Sequence, residues 1–388
     1  MEDIMMKYKS EFNGDRLKTA RIYRGLTVAE LAEELDLQRQ TVSMYENNKL
    51  KNPGIQTISK MSEVLGFPKR FFLEKDEISL KTGSTYFRAL LTTSKKYRSQ
   101  QVLKIDFIAK VFKYLNEYIE FPEMNLPQEA FETPEEAAVA LRNLWDLGEK
   151  PIENIVYLVE QNGILVTEFN SDTNDIDAFS QLVNVDGIEK YLVGYSKNKS
   201  TASRIHFDIA HELGHMLLHE WSEDIESLTK EEFKERENEA NAFASAFLLP
   251  KEAFIKDVGN YADNIAFYVE LKKKWKVSIS AMIRRSYTLG LISNITYQQL
   301  MRSMQKRGIK KHEPLDDTLL TAKPSLLKTA VEMLIQENVL EPREFLEELS
   351  SKYNFSMESK EIEALLDLPK GLLKVIYETP IHVLNIKK

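Results

Sequence analysis

The chain of 388 residues is longer than one ordinary domain, and its composition is that of a folded globular protein rather than a disordered or fibrous one. Its 52 basic and 60 acidic residues give a formal net charge of −8. This balance excludes a chain devoted throughout to nucleic acid, although it permits a small DNA-binding module. Cysteine is absent, so disulfide scaffolds and cysteine-based metal sites are excluded, and any metal must be held by His, Asp or Glu.

The amino terminus and the hydropathy pattern give no sign of secretion or membrane insertion. The opening residues Met1-Glu2-Asp3 lack the basic region and apolar stretch with which a secretory signal begins. No run approaches the roughly 18 apolar residues that a membrane-spanning helix requires. We therefore expect a cytoplasmic protein without a membrane partner.

Short helices are predicted in the first 75 residues, at 15–24, 28–35, 39–47 and 55–65. The second helix starts with a capping box, in which Thr27 is followed three residues later by Glu30. The expected core of this module is small and apolar: Leu31, Ala32, Leu35, Val42 and Tyr45. Two helices joined by a short turn at Asp36-Leu37 are typical of a helix-turn-helix module.

The helix at 39–47 carries polar side chains that are suited to DNA recognition. Its exposed face is expected to present Gln38, Arg39, Gln40 and Ser43. Glutamine and arginine make bidentate contacts to adenine and guanine edges in the major groove, and Lys49 is a candidate phosphate contact. The alternative is a helical domain that contacts only proteins, since 13 basic residues against 11 acidic ones in 1–75 attract DNA only weakly.

Residues 14–73 resemble the XRE family of phage-repressor-like domains, including Tyr45-Glu46-Asn47 and Leu65-Gly66-x-Pro68. The resemblance implies a five-helix module that binds a double-stranded DNA operator. A homodimer is expected, because one such domain reads one half-site. A basic window at 81–113, with eight basic residues and only Asp106 acidic, either adds phosphate contacts or is the solvated face of helices.

The remainder of the chain predicts an α+β region followed by helices. Thr133-Pro134 marks a helix start, with proline at the first helical position. Strand-like segments follow at 163–167, 178–185 and 191–193, and long helices at about 201–220 and 229–249. We therefore predict a mainly α fold with one α+β domain and a helical tail. The expected domains are a helix-turn-helix module, a basic helical linker, the α+β domain and a helical carboxyl-terminal region, at 1–75, 76–130, 131–260 and 261–388.

The strongest chemical signal is His211-Glu212-Leu213-Gly214-His215. Residues four apart on a helix share a face, with Cβ atoms about 5–6 Å apart, so both imidazoles can reach one Zn²⁺ ion. Glu212 is placed to accept a proton from metal-bound water, as in metallopeptidases. Gly214 costs about 1 kcal/mol in a helix interior, which indicates close approach of another backbone. The alternative is an exposed helix that happens to carry two histidines.

A catalytic zinc site needs a third protein ligand. Glu237 is the first candidate, and Asn241, four residues later on the same face, is placed to hydrogen-bond a ligating histidine. Glu239 points to another face and is the second choice, while Glu237 could instead belong to a solvated acidic run at 231–239. His219 is expected beside the ligands or at the surface. An apolar stripe should dock this helix on the first: Ala240, Phe243, Ala244, Phe247 and Leu248.

Residues 204–219, together with Glu237-x-x-Ala240-Asn241 and Leu248-Leu249-Pro250, resemble the ImmA/IrrE family of metallopeptidases. The resemblance extends over roughly 85–310, and it implies that the α+β domain at 131–260 is a zincin-like metallopeptidase domain. It implies that His211, His215 and Glu237 bind zinc and that Glu212 is the catalytic base. It also implies cleavage of a helix-turn-helix repressor, which switches genes of mobile elements or stress responses.

These patterns predict a DNA-binding regulator with a zinc endopeptidase domain that cleaves a repressor or itself. The alternative is a non-catalytic regulator whose peptidase-like domain senses a ligand or partner, and the intact Glu212 favours the enzyme. A substrate is expected to extend along an edge strand, for which 178–185 and 191–195 are the candidates. The tail beyond 310 is amphipathic, and core packing is favoured over a dimer face, a sensor or a cover for the active site.

Overall fold

The computed structural model describes residues 11–75, 81–87, 95–169, 178–185, 187–197, 201–220 and 228–375. Within these ranges the chain forms two compact units that are interleaved along the sequence. The first unit combines the amino-terminal helices with residues 96–118 and the carboxyl-terminal segment from 328. The second unit contains 80–95 and 119–327, and therefore includes every described strand.

The amino-terminal module consists of five helical segments, as predicted. These are α1 (Gly14–Tyr23), α2 (Val28–Leu35), α3 (Arg39–Glu46), α4 (Ile55–Leu65) and a 3₁₀ helix (Lys69–Leu73). The capping box of Thr27 and Glu30 is present, and every predicted core residue is buried. Asp36, with φ of 57°, adopts the left-handed conformation that turns the chain from α2 towards α3.

Strand β1 (Lys81–Phe87) and helix α5 (Lys95–Leu115) come next. The strand lies in the segment predicted as a helical linker, but its backbone is extended and pairs with a later strand. Its Thr, Tyr and Phe residues favour an extended backbone. The prediction of helix rested on the basic charge pattern of this window and did not take that preference into account. Helices α6 (Pro134–Leu144) and α7 (Ile155–Gln161) follow, and α6 begins at the predicted Thr133 cap.

The sheet is completed by β2 (Leu165–Phe169), β3 (Ala178–Val185) and β4 (Ile188–Ser196), in the order β1-β3-β4-β2. β3 is antiparallel to both of its neighbours, whereas β2 runs parallel to β4. Both strands proposed as the substrate edge therefore lie inside the sheet, and that prediction was wrong. The sequence analysis missed β1, which covers the outer edge of β3, and it did not foresee that β2 pairs with the outer edge of β4.

The remaining elements are all helical. They are α8 (Ala202–Leu218), α9 (Lys230–Leu248), α10 (Lys251–Val258), α11 (Ile265–Trp275), α12 (Ile279–Thr288), α13 (Asn294–Lys306), α14 (Leu326–Gln336), α15 (Pro342–Tyr353) and α16 (Ser359–Leu365). The mainly α chain with an α+β second unit confirms the predicted fold class. Among the described residues, no helix has the length and apolar character needed to cross a bilayer.

The carboxyl-terminal helices complete the core of the first unit. The ring of Phe355 lies 4.8 Å from that of Phe107 in α5, and Phe345 lies 5.2 Å from Tyr114. Phe345 and Leu349 are fully buried. The tail therefore packs into the core of the first unit, as the spacing of its apolar residues predicted.

Polar contacts tie the same tail to the helix-turn-helix module. Arg16 donates a hydrogen bond to the carbonyl oxygen of Asn354 at 2.8 Å. Arg24 forms an ion pair with Glu361 at 3.0 Å. In each case an arginine of the module is bonded to a residue more than 330 positions away in the sequence. The tail therefore contributes to the stability of the module.

Replacement of Phe345 by alanine should destabilise the first unit by about 3–5 kcal/mol, because it removes a fully buried aromatic ring. Chemical denaturation of the full chain measures the loss. Met333→Ala, at a half-exposed position of the same tail, is the control and should change stability little. Equal effects of the two substitutions would contradict the packing of the tail.

Candidate metal centre and nucleic-acid interface

Helices α8 and α9 approach closely because a glycine lies at their contact. A Cβ atom on Gly214 would lie 3.0 Å from the Cα of Ala240 and 3.2 Å from the Cβ of Phe243. The predicted close approach of a second backbone at Gly214 is therefore confirmed. The predicted docking stripe of α9 is buried throughout: Ala240, Phe243, Ala244, Phe247 and Leu248. This contact places Glu237, one turn before Ala240, opposite the histidines of α8.

Two imidazoles and one carboxylate converge at this point. The Nε2 atoms of His211 and His215 are 3.0 Å apart. Oxygens of Glu237 lie 3.5 Å from Nε2 of His211 and 3.2 Å from Nε2 of His215. Among the described residues, these three form a cluster whose ligand atoms lie within 4.8 Å of one another. The other candidate, Glu239, points away from this triangle, as its position on α9 predicted.

Hydrogen bonds on the far side of each ring fix which nitrogen carries the proton. Nδ1 of His211 lies 3.1 Å from Oδ1 of Asn241, which is an acceptor, so this nitrogen donates. Nδ1 of His215 lies 3.0 Å from Nδ1 of His219, whose Nε2 lies 3.0 Å from a carboxylate oxygen of Glu239. An ionised carboxylate only accepts, so His219 donates from Nε2 and accepts at Nδ1. His215 must then donate from its own Nδ1.

The three facing atoms therefore form an electron-rich triangle. Both Nε2 atoms of the motif carry lone pairs, and burial lowers the pKa of His215 to about 4, so this ring is neutral at physiological pH. The carboxylate of Glu237 is mostly buried and faces both of these nitrogens. Two lone pairs and an anion at such distances repel one another unless a cation lies between them.

The dimensions of the triangle fit a zinc ion. Ligands held tetrahedrally at about 2.0–2.1 Å from zinc are spaced about 3.3 Å from one another. The measured separations of 3.0, 3.2 and 3.5 Å bracket this value. Neutral imidazole and carboxylate are also the donor types that zinc accepts in the absence of cysteine. The residues present therefore suit a zinc ion.

Glu212 lies beside the triangle and is held from the sheet. The hydroxyl of Ser180, in β3, donates a hydrogen bond to Oε2 of Glu212, and both residues are fully buried. Ser180 could not be predicted from local sequence patterns, because the contact joins a strand to a helix 32 positions away. β3 is thus the strand nearest the candidate base, and its residue Ser180 is paired with Tyr86 of β1.

Two further histidines near the motif, His206 and His219, are buried at different places. His206 is buried, and its Nε2 lies 3.3 Å from the hydroxyl of Thr321, away from the triangle. Burial lowers the pKa of His206 to about 3. His219 lies beside His215 rather than at the surface, and burial lowers its pKa to about 4.

The predicted DNA-reading side chains lie at the start of α3. Gln38, Arg39 and Gln40 are exposed, and Ser43, one turn later, is half-exposed. Lys49 is exposed in the turn after the helix. The opposite face of α3 is anchored by Val42 and Tyr45, which are buried. The helix thus presents one polar face while its other face is fixed in the core.

Comparison with known proteins identifies both modules. A helix-turn-helix model matches residues 17–72, and a peptidase-family model described as the IrrE N-terminal-like domain matches residues 159–287. The chain joins an XRE-type helix-turn-helix module to an ImmA/IrrE-like domain. The triangle, Glu212 and Ser180 all lie inside the ImmA/IrrE-like match, and α3 lies inside the XRE-type match.

Two curated relatives resemble part of the chain. It is 37% identical over 68 residues, 18% of its length, to the HTH-type transcriptional regulator ImmR of Bacillus subtilis (strain 168). It is 38% identical over 65 residues, 16% of its length, to the HTH-type transcriptional regulator SinR of Bacillus licheniformis. These matches span 53% and 59% of the two relatives.

If the triangle binds zinc, replacement of Gly214 by alanine should weaken that binding by about 5–150-fold. The added methyl group meets the backbone of Ala240, which cannot rotate aside, and overpacking of this kind costs about 1–3 kcal/mol. Competition with a chromophoric chelator measures the affinity. Gly54→Ala is the control, because a Cβ there meets no atom within 4 Å. Unaltered zinc affinity in Gly214→Ala would contradict the role of this contact.

Proposed function

We propose that the chain is a DNA-binding transcriptional regulator whose ImmA/IrrE-like domain is a zinc-dependent endopeptidase. His211, His215 and Glu237 are the proposed zinc ligands, and Glu212 is the proposed catalytic base. The observation that carries the proposal is the electron-rich triangle with a buried carboxylate beside it. The match to a peptidase-family model supports the same assignment.

The reaction is hydrolysis of a peptide bond. A zinc ion, if held by His211, His215 and Glu237, would supply Lewis-acid activation of water and of the peptide carbonyl. The carboxylate of Glu212 accepts the proton of the attacking water and delivers it to the leaving amine. Ser180 orients this carboxylate through its hydroxyl group, and Asn241 fixes the ring of His211.

A helix-turn-helix repressor supplied by another chain is the proposed substrate, in preference to the chain itself. A single cut between the 3₁₀ helix and α5 would leave the first unit held together by contacts that do not depend on that segment. Arg16 would still bind Asn354, and Arg24 would still pair with Glu361. Self-cleavage there would therefore not free the helix-turn-helix module from the rest of the chain.

Operator binding is assigned to α3. Gln38, Arg39 and Gln40 are the proposed base contacts in the major groove, because they are exposed at the amino-terminal end of that helix. Ser43 and Lys49 are proposed to complete the contacts, with Lys49 on a phosphate. A homodimer placing one α3 in each half-site is proposed on the symmetry of such operators.

Substitution of Glu212 by glutamine should abolish hydrolysis while zinc stays bound, because the triangle is untouched and only the proton acceptor is lost. We expect the rate to fall by a factor of about 10²–10⁴. The assay incubates the zinc-loaded full chain with the helix-turn-helix repressor encoded beside it, and metal content is measured in parallel. Glu235→Gln, at an exposed position of α9, is the control. If the unaltered chain binds zinc but leaves the repressor intact under every trigger, the domain is a sensor.

Arg39→Ala and Gln40→Ala should each weaken binding to a selected operator by about 1–3 kcal/mol, because each removes a bidentate base contact. Gel shift or anisotropy at fixed salt measures the change, with a scrambled duplex as reference. Gln336→Ala, an exposed glutamine of the tail, is the matched control. Operator affinity that stays constant in both variants would rule out this use of α3.

A further inference from the structure

We propose that His219 and Glu239 are positioning residues that set the metal affinity of the centre by fixing the tautomer of His215. This inference rests on the proposed zinc site and adds two residues to it. His215, His219 and Glu239 form a continuous hydrogen-bonded relay, with 3.0 Å between the two Nδ1 atoms and 3.0 Å from Nε2 of His219 to the carboxylate.

The need for the relay follows from the chemistry of imidazole. A neutral ring carries one proton, and His215 offers a lone pair at Nε2 only when that proton is on Nδ1. Asn241 secures this arrangement for His211 with a single acceptor oxygen. The partner of His215 is another imidazole, whose Nδ1 is a donor in one tautomer and an acceptor in the other. A second ring alone therefore leaves the proton of His215 undetermined.

Glu239 removes this ambiguity. Its carboxylate accepts but cannot donate, so it holds the proton of His219 on Nε2 and leaves Nδ1 of that ring as the acceptor. The side chain of His219 is 4% exposed and that of Glu239 is 44% exposed. The relay thus runs from the buried centre to the surface of α9, and its outer member can be changed without opening the core.

The position of the three residues explains how one helix contact builds the relay. His219 is the C-cap residue that directly follows the end of α8, and its extended backbone still brings its ring to 3.0 Å from that of His215, measured between the Nδ1 atoms. Glu239 lies two residues after Glu237 on α9, and the two carboxylates reach different histidines. The docking of α9 therefore supplies the carboxylate of Glu237 to the triangle and the carboxylate of Glu239 to His219.

Zinc dissociation constants of the full-length variants test the proposal. His219→Phe should weaken zinc binding about 10–100-fold, the effect that the loss of an outer hydrogen-bond partner typically has. Glu239→Gln should weaken it less, because glutamine can accept from or donate to His219 and so no longer selects one tautomer. Glu235→Gln, which removes an exposed carboxylate from the same helix, is the matched control and should leave the affinity unchanged.

The tautomers are read directly by NMR of the metal-free chain with ¹⁵N-labelled histidine. We expect His215 protonated on Nδ1 and His219 on Nε2, and a mixture of tautomers at both rings in Glu239→Gln. Unchanged zinc affinity in Glu239→Gln together with unchanged tautomers would overturn the proposal, even if His219→Phe fails to fold. Failure of the unaltered chain to bind zinc would overturn the zinc site as well, whereas normal zinc binding that is indifferent to Glu239 would overturn this inference alone.

Discussion

The contact of Gly214 with the backbone of Ala240 is the constraint on which the candidate centre depends. Two histidines on one helix supply two donors, and a third must come from another element. The third donor is Glu237, which lies close enough only because α9 approaches α8 without an intervening side chain. A glycine that weakens an isolated helix thus permits the approach that completes the triangle.

The same contact organises groups beyond the triangle. Asn241 on α9 contacts His211, and Glu239 on the same helix contacts His219. Both contacts lie on the side opposite the triangle. In the proposed zinc site these acceptor oxygens would hold the ring protons on the outer side, so that the lone pairs of both Nε2 atoms face inward. These outer contacts would then contribute to the zinc affinity together with the ligands. The helix pair therefore determines both the position and the protonation of its donors.

The chain passes more than once between the two units. The XRE-type module shares its core with α5 and with the tail, through contacts such as Phe107 with Phe355. The ImmA/IrrE-like domain lies between these segments in sequence. The two units are therefore joined by the chain at more than one point.

Features that are encoded within one or two helical turns could be predicted from the sequence alone. The spacing of His211 and His215, the capping box of Thr27 and the helix-turn-helix at α2–α3 needed no knowledge of distant residues. Glu237 and Asn241 were predictable as a pair, because they share one face of one helix. Tertiary structure alone decided the strand pairing of β1, the contact of Ser180 with Glu212, and the relay from His215 to Glu239. These depend on how separate elements pack, and local propensity carries no information about a partner tens of residues away.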